Sequence, residues 1–242
     1  MQSTLLAEKG LINQVAGSEY NFRYQMVGNK VVEDVERLLE RMDIQPKEIY
    51  TGQQVHSANV AYVNGQNGEP FIFGRTLKET DGLLTDKPGV ALLIKYADCT
   101  PIILYDPVKK VQAVVHSGWR GTVQKISLNA IKQMEADFGC ARHNILAYVG
   151  PSIDQEHYQV GPEVYAAFEG FSERDNFFKP DGERYRMSMS DANVSILKEA
   201  GIKDENLDIE RTATYTDDSL HSARKEGKEY QLNGLLTMIP EE

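Results

Sequence analysis

The stretch Val111-Gln112-Ala113-Val114-Val115-His116-Ser117-Gly118-Trp119-Arg120-Gly121-Thr122 decides the fold. Its first half is a short apolar, β-branched run of the kind that forms a strand buried on both faces. The run ends in an imidazole, passes through a turn flanked by Gly118 and Gly121, and enters a segment with Val123, Ile126, Ala130, Ile131, Met134 and Phe138 at helical spacing. The pattern predicts one helix over about 122–138, stopped by Gly139. The next apolar run, 145–149, reads as a strand, and a lone helix between two strands resembles a crossover connection.

Working outward, the runs 48–50, 59–63, 90–96 and 102–105 read as further strands, punctuated by turns at 64–68 and 106–110. The sheet is therefore expected to be mixed. Val31, Val32, Val35, Leu38, Leu39 and Met42 predict an amphipathic helix over 30–43, with Asn29 as its N-cap. A third helix is expected from Pro162 through Phe168, ended by Gly170, and a fourth over 190–200. Residues 209–215 read as a strand, and 171–186, which lack a clear period, as a loop. No internal repeat is visible.

A chain of 242 residues with 41% hydrophobic and 26% charged residues is expected to fold as a single domain over residues 1–242. Its formal net charge of −10 argues against nucleic acid and anionic membranes as partners. The longest aliphatic run, Val90 to Ile94, is far short of the roughly 20 residues a spanning helix needs. The N-terminal residues show no basic region ahead of an apolar stretch, so a cytoplasmic location is the expectation. Two cysteines, Cys99 and Cys140, do not make a disulfide framework.

Three polar turns carry candidate chemistry. Gln53-Gln54-Val55-His56-Ser57 presents an imidazole, Tyr96-Ala97-Asp98-Cys99-Thr100-Pro101 a thiol, and the His116 turn a second imidazole. The gaps of 43 and 17 residues between His56, Cys99 and His116 are far wider than in a zinc finger, so spacing leaves the three unrelated or joined only by the fold. As ligand types they suit a tetrahedral zinc with an open fourth position, and a thiolate favours zinc or copper over magnesium. A thiol beside imidazoles is also a nucleophilic dyad, so a cysteine hydrolase using Cys99 stays open, as does a non-catalytic partner protein. Gly118 permits close backbone approach of a ligand, and Arg120 at a helix start adds a fixed positive charge, which together suggest an anion pocket. Cys140, His143 and His157 read as ordinary structural residues, and Trp119 as either a core edge or a stacking surface.

The runs Gln54-Val55-His56, Asp81-Gly82-Leu83-Leu84-Thr85-Asp86, Ala97-Asp98-Cys99-Thr100-Pro101, His116 to Thr122, and Gly150-Pro151-Ser152-Ile153 followed by Tyr158-Gln159-Val160-Gly161 resemble the YfiH-like family. It is also called the laccase-domain or multicopper polyphenol oxidase family. The resemblance implies an α+β fold, a layered α/β/β/α sandwich with mixed β-sheets. It implies a mononuclear zinc held by His56, Cys99 and His116. It also implies phosphorolysis of purine nucleosides such as adenosine, inosine or methylthioadenosine, with adenosine deamination as a second activity and copper-dependent phenol oxidation as the alternative. With five histidines and two cysteines in the whole chain, a multicopper centre is thinly supplied.

On that resemblance Asp81, Asp98 and Arg120 are the catalytic candidates, the two acids handling protons or supporting the metal. Gly118, Arg120, Ser222 and Arg224 are the candidates for holding nucleoside and inorganic phosphate. The chain departs from the family where residues 11–18 lack the arginine of its N-terminal motif, with Arg23 nearby, and where Tyr230-Gln231-Leu232-Asn233 lacks a second C-terminal arginine. The oligomeric state is left open.

Overall fold

The computed structural model describes residues 1–241. Two six-stranded mixed sheets lie face to face. The first orders Ile12–Ala16, Asn233–Met238, Val90–Tyr96, Glu48–Gly52, Gly74–Leu77 and Glu69–Phe71, and the second orders Leu207–Ile209, Leu146–Val149, Thr100–Asp106, Val111–Ser117, Gly82–Thr85 and Val60–Tyr62. Strand Val111–Ser117 is buried at every position, Gln112, His116 and Ser117 included, as a strand covered on both faces must be. It and Leu146–Val149 each pair antiparallel with Thr100–Asp106, so they run parallel to each other, and the chain between them is the expected crossover.

The layers follow from which side chains alternate to which face. Tyr50, Leu92, Ile94 and Tyr96 of the first sheet meet Leu83, Ile103, Val114 and Tyr148 of the second in a core between the sheets. On the outer face of the second sheet, Leu84, Ile102, Leu104 and Val115 pack under helices Ile126–Phe138 and Met189–Glu199. On the outer face of the first, Ala91, Leu93 and Leu236 take Val31, Val35 and Leu38 of helix Val31–Met42. This is the layered α/β/β/α arrangement. A small third sheet of Gln159–Val160, Arg184–Met187 and Phe178–Asp181 packs with helix Pro162–Ala167 around Phe168, Phe177 and Phe178.

Several expectations are corrected. The helix drawn over 122–138 is two helices, Trp119–Val123 and Ile126–Phe138, because Lys125 takes a left-handed conformation with φ 55°. The N-cap of helix Val31–Met42 is Lys30 rather than Asn29, since residues Gly28–Lys30 already form a 3₁₀ turn. The segment 171–186 is ordered as helix Arg174–Phe177 and the hairpin Phe178–Asp181 with Arg184–Met187, turned at Gly182 with φ 63°. The strand expected over 209–215 is instead Leu207–Ile209. Beyond it the Glu210 side chain accepts from the Thr212 N–H and hydroxyl at 2.9 and 2.7 Å, a local turn that replaces the ladder. Strands Ile12–Ala16, Gly74–Leu77, Gly82–Thr85 and Asn233–Met238 were not expected at all. Among the described residues no helix is long and apolar enough to cross a membrane.

Candidate metal centre and substrate cavity

The chain crosses from the first sheet to the second three times, and each crossing delivers a functional side chain, Asp81 coming from the one between Gly74–Leu77 and Gly82–Thr85. Between Glu48–Gly52 and Val60–Tyr62 lies His56, and between Val90–Tyr96 and Thr100–Asp106 lies Cys99. His116 stands near the end of Val111–Ser117. The ligand atoms of the three lie within 4.8 Å of one another, and the two imidazoles are 5.0 Å apart at their centroids. Residues scattered over sixty positions are thus brought together by sheet topology, which is why their spacing alone could not decide the matter.

Asp81 holds this arrangement. It is fully buried, and its carboxylate accepts from the backbone N–H groups of Val55, His56 and Ser57 at 3.0, 3.0 and 2.8 Å, from the Ser57 hydroxyl at 2.8 Å, and from His116 Nδ1 at 2.9 Å. Three convergent N–H donors explain why His56, a residue with a Cβ, sits at φ 62°. They also leave Asp81 no oxygen facing a substrate.

The electrostatics reinforce the geometry. Burial pushes the Cys99 thiol up, but the charge and hydrogen bond of His116, aided by His56, overcome it and hold it at about 6. Burial disfavours the His116 cation, yet Cys99 and Asp81 together raise it to about 9. Burial likewise opposes the Asp81 charge, and His116 with the Ser57 donors wins, holding it at about 2. Cys140 has no such neighbours: burial pushes its thiol up to about 12.

The triad opens into a cavity of about 1000 Å³. Its lining includes Asp98, Tyr158 and Arg224 on one side, and Arg23, Lys95 and the rings of Tyr24, Phe71 and Phe73 on another. Asp98 accepts from Thr214 Oγ1 and from the Arg224 N–H, each at 2.7 Å, so both its oxygens are occupied. The Arg224 guanidinium donates to the carbonyls of His157 and Gln159.

The other expected substrate contacts are not among the residues that line the cavity. Arg120 is exposed, stacks over the Trp119 ring at 4.3 Å, and does not line the cavity; the helix it begins has only five residues. Ser222 is buried and spends its hydroxyl accepting from the Lys225 N–H as an N-cap. Gly118 lies against the metal-ligand candidates: a Cβ there would lie 2.9 Å from His56 Cδ2 and 3.0 Å from Cys99 Sγ. His143 lies outside the cavity lining, and His157 pairs with Asp154 and stacks on Tyr215. Sequence reasoning missed Lys95, although a lysine closing the aliphatic run Val90 to Ile94 is a visible anomaly.

The family described as multi-copper polyphenol oxidoreductase laccase matches residues 14–237. A purine nucleoside phosphorylase of Bacteroides thetaiotaomicron is 32% identical over 200 residues, covering 78% of this chain and 73% of that protein. A protein named adenosine deaminase RL5, from an unknown prokaryotic organism, is 32% identical over 181 residues, 72% of this chain and 69% of its own length. Among solved structures, YlmD from Geobacillus stearothermophilus superimposes with a TM-score of 0.86 over 99% of this chain and 94% of that one at 21% identity, a likeness of fold.

Proposed function

The chain belongs to the multi-copper polyphenol oxidoreductase laccase family, and from that premise we propose that it is a purine nucleoside phosphorylase dependent on one zinc ion, with adenosine deamination as a second activity. The observation that carries this reading is the convergence of His56, Cys99 and His116 within 4.8 Å at the mouth of a cavity large enough for a nucleoside and phosphate. The names of the similar proteins support the activities.

The donor set fits the metal. Two imidazoles and a thiol already held low suit zinc, and Asp81 fixes the His116 tautomer so that Nε2 is the nitrogen left for a ligand bond. When bound there, zinc would lower the pKa of a bound water to about 7 or polarise a substrate atom. A laccase gathers electrons for dioxygen from several coppers, and among the described residues there is one such ligand cluster.

The protein's own residues would do the rest. In phosphorolysis a phosphate oxygen bonds to C1′ of the ribose as the N-glycosidic bond breaks, and the purine leaves with that bond's electron pair and takes up a proton. The task is to orient two substrates and balance charge. Asp81 keeps the metal ligands in place, Asp98 ties the Arg224 backbone to the Cys99 turn, and Tyr158 walls the cavity beside the thiol. Arg23, lining the same cavity, stands in for the arginine missing from the N-terminal motif. This reading treats residues 1–242 as one catalytic, cytoplasmic domain, and the core that the two large sheets share supports the single domain.

The test compares zinc-loaded and copper-loaded protein against inosine, adenosine and a methoxyphenol with phosphate present, with products separated by chromatography. The zinc form should release free base and ribose 1-phosphate and leave the phenol untouched. Phenol turnover by the zinc form, with no nucleoside cleavage or deamination by either, overturns the reading in favour of the oxidase.

A further inference from the structure

Lys95 is the single charged side chain of strand Val90–Tyr96 and lines the cavity. It is clamped at three points. Its backbone N–H donates to Gln54 Oε1 at 2.9 Å, its carbonyl accepts from Gln54 Nε2 at 2.6 Å, and its Nζ donates to the Gly52 carbonyl at 2.9 Å. Gly52 leaves no room for a side chain, because a Cβ there would lie 2.1 Å from the Thr80 carbonyl oxygen. The segment that carries His56 therefore also sets the position of the Lys95 ammonium, and the two are preorganised together.

The ammonium has capacity to spare. It carries three N–H donors, and the one contact described for it, to the Gly52 carbonyl, uses one of them. Burial pushes it down to about 8, with Asp81 working the other way, so most of it stays charged at neutral pH. The two arginines of the lining are braced on main-chain carbonyls, Arg23 on those of Lys228 and Tyr230 and Arg224 on those of His157 and Gln159. Against Arg23, Lys95 and Arg224 the lining sets one carboxylate, Asp98, whose oxygens are both occupied. In a chain of net charge −10, this is a local excess of positive charge with a fixed, underused donor inside it.

We propose that Lys95 is the anion-binding residue of the cavity, its ammonium recognising a phosphate-sized oxyanion. That this anion is the phosphate consumed with the nucleoside rests on the function proposed above. The binding of an oxyanion by Lys95 does not.

The experiment titrates inorganic phosphate and sulfate calorimetrically into metal-loaded wild type, Lys95→Met and Lys95→Arg, with metal content measured for each. Loss of a charge-assisted contact should weaken phosphate at least about tenfold in Lys95→Met, with Lys95→Arg in between and metal content equal in all three. In wild type, phosphate should also protect Lys95 from reductive methylation, read by peptide mass spectrometry, which holds the inference to account even if the methionine variant fails to fold. Phosphate binding undiminished in Lys95→Met, no phosphate or sulfate binding by wild type, or unprotected Lys95 at saturating phosphate overturns it. If phosphate binding is lost in Lys95→Met but wild type makes no ribose 1-phosphate, the lysine assignment stands and the phosphorylase reading falls. If ribose 1-phosphate forms with an unchanged phosphate KM in that variant, the reverse holds.

Discussion

One oxygen of Asp81, Oδ1, accepts both the His116 Nδ1–H at 2.9 Å and the His56 backbone N–H at 3.0 Å, so a single atom registers two metal-ligand candidates against each other. Asp81→Asn keeps the shape but puts an amide where two or more donors converge. Metal affinity should fall about 10- to 100-fold, the usual cost of disturbing a group that orients a ligand. Competition with a chromophoric chelator measures it, and an affinity equal to wild type removes Asp81 from the site.

The same carboxylate carries a pH dependence whose sign is fixed. Its folded pKa of about 2 lies below the ordinary 3.8, so its stabilising contribution is complete above about 3.8 and is lost as pH falls toward 2. Cys99 and His116 act in opposition over a higher range. The depressed thiol contributes stability present above 9.0 and lost as pH falls through about 6, while the raised imidazolium contributes below 6.5 and loses it as pH rises through about 9. Between 6.5 and 9 the pair holds one proton folded or unfolded, so their slopes cancel. Denaturant titrations of metal-free protein should show the difference between wild type and Asp81→Asn shrinking from pH 4 to pH 2. A difference constant across that window contradicts the assignment.

Labelling separates the metal reading from the cysteine-hydrolase one. In metal-free protein iodoacetamide should modify Cys99 with a half-maximal rate near pH 6 and spare Cys140, whose thiol burial holds at about 12. Zinc at one equivalent should abolish the reaction. Fast labelling of Cys99 that zinc does not slow would favour a free nucleophilic thiol.

The core strands are legible because each is built on a short apolar run covered on both sides, as Ala113 to Val115 is within Val111–Ser117. The strands that the apolar pattern does not announce are those whose neighbours do the burying. Gly82–Thr85 is completely buried between Val60–Tyr62 and Val111–Ser117, yet its four residues include a glycine and a threonine. The hairpin at Gly182 carries one turn signal, Asp181-Gly182, but the flanking residues Lys179, Pro180, Glu183 and Arg184 are polar or turn-forming and hide the period. In the site, the ligands could be chosen by chemistry, but the substrate contacts could not. Whether Arg120 or Lys95 faces the cavity depends on which side of a turn or strand each occupies, and only the packing of the sheets fixes that.

Placement of the two arginines yields opposite expectations. Arg120 lies on the Trp119 ring outside the cavity, so Arg120→Ala should change the phosphate KM by less than about twofold, the scale of an exposed contact. Arg224 lines the cavity and braces the turn around Tyr158, so Arg224→Ala should lower kcat/KM for nucleoside by at least about tenfold with metal content unchanged. Steady-state kinetics at varied nucleoside and phosphate decide it. A large phosphate effect from Arg120→Ala would return that residue to the role its sequence position suggested.

Gly118→Ala tests whether the metal centre is limited by space rather than by its ligands. The backbone there is ordinary for any residue, with φ −74° and ψ 173°, so the added methyl brings no conformational strain of its own. Its Cβ would nevertheless approach His56 Cδ2 at 2.9 Å and Cys99 Sγ at 3.0 Å, closer than such atoms settle. Cys99 leads directly into strand Thr100–Asp106 and cannot yield far, whereas His56 is exposed on its loop, so the imidazole is the group displaced. Zinc affinity should drop by at least about tenfold although all three ligands remain, while the metal-free unfolding transition moves by only a few degrees. Gly170→Ala, where nothing lies within 4 Å of the new Cβ, is the control and should change neither quantity. Wild-type zinc affinity in Gly118→Ala would mean that the His56 loop moves aside without consequence, and that Asp81 does not hold it as rigidly as its hydrogen bonds require.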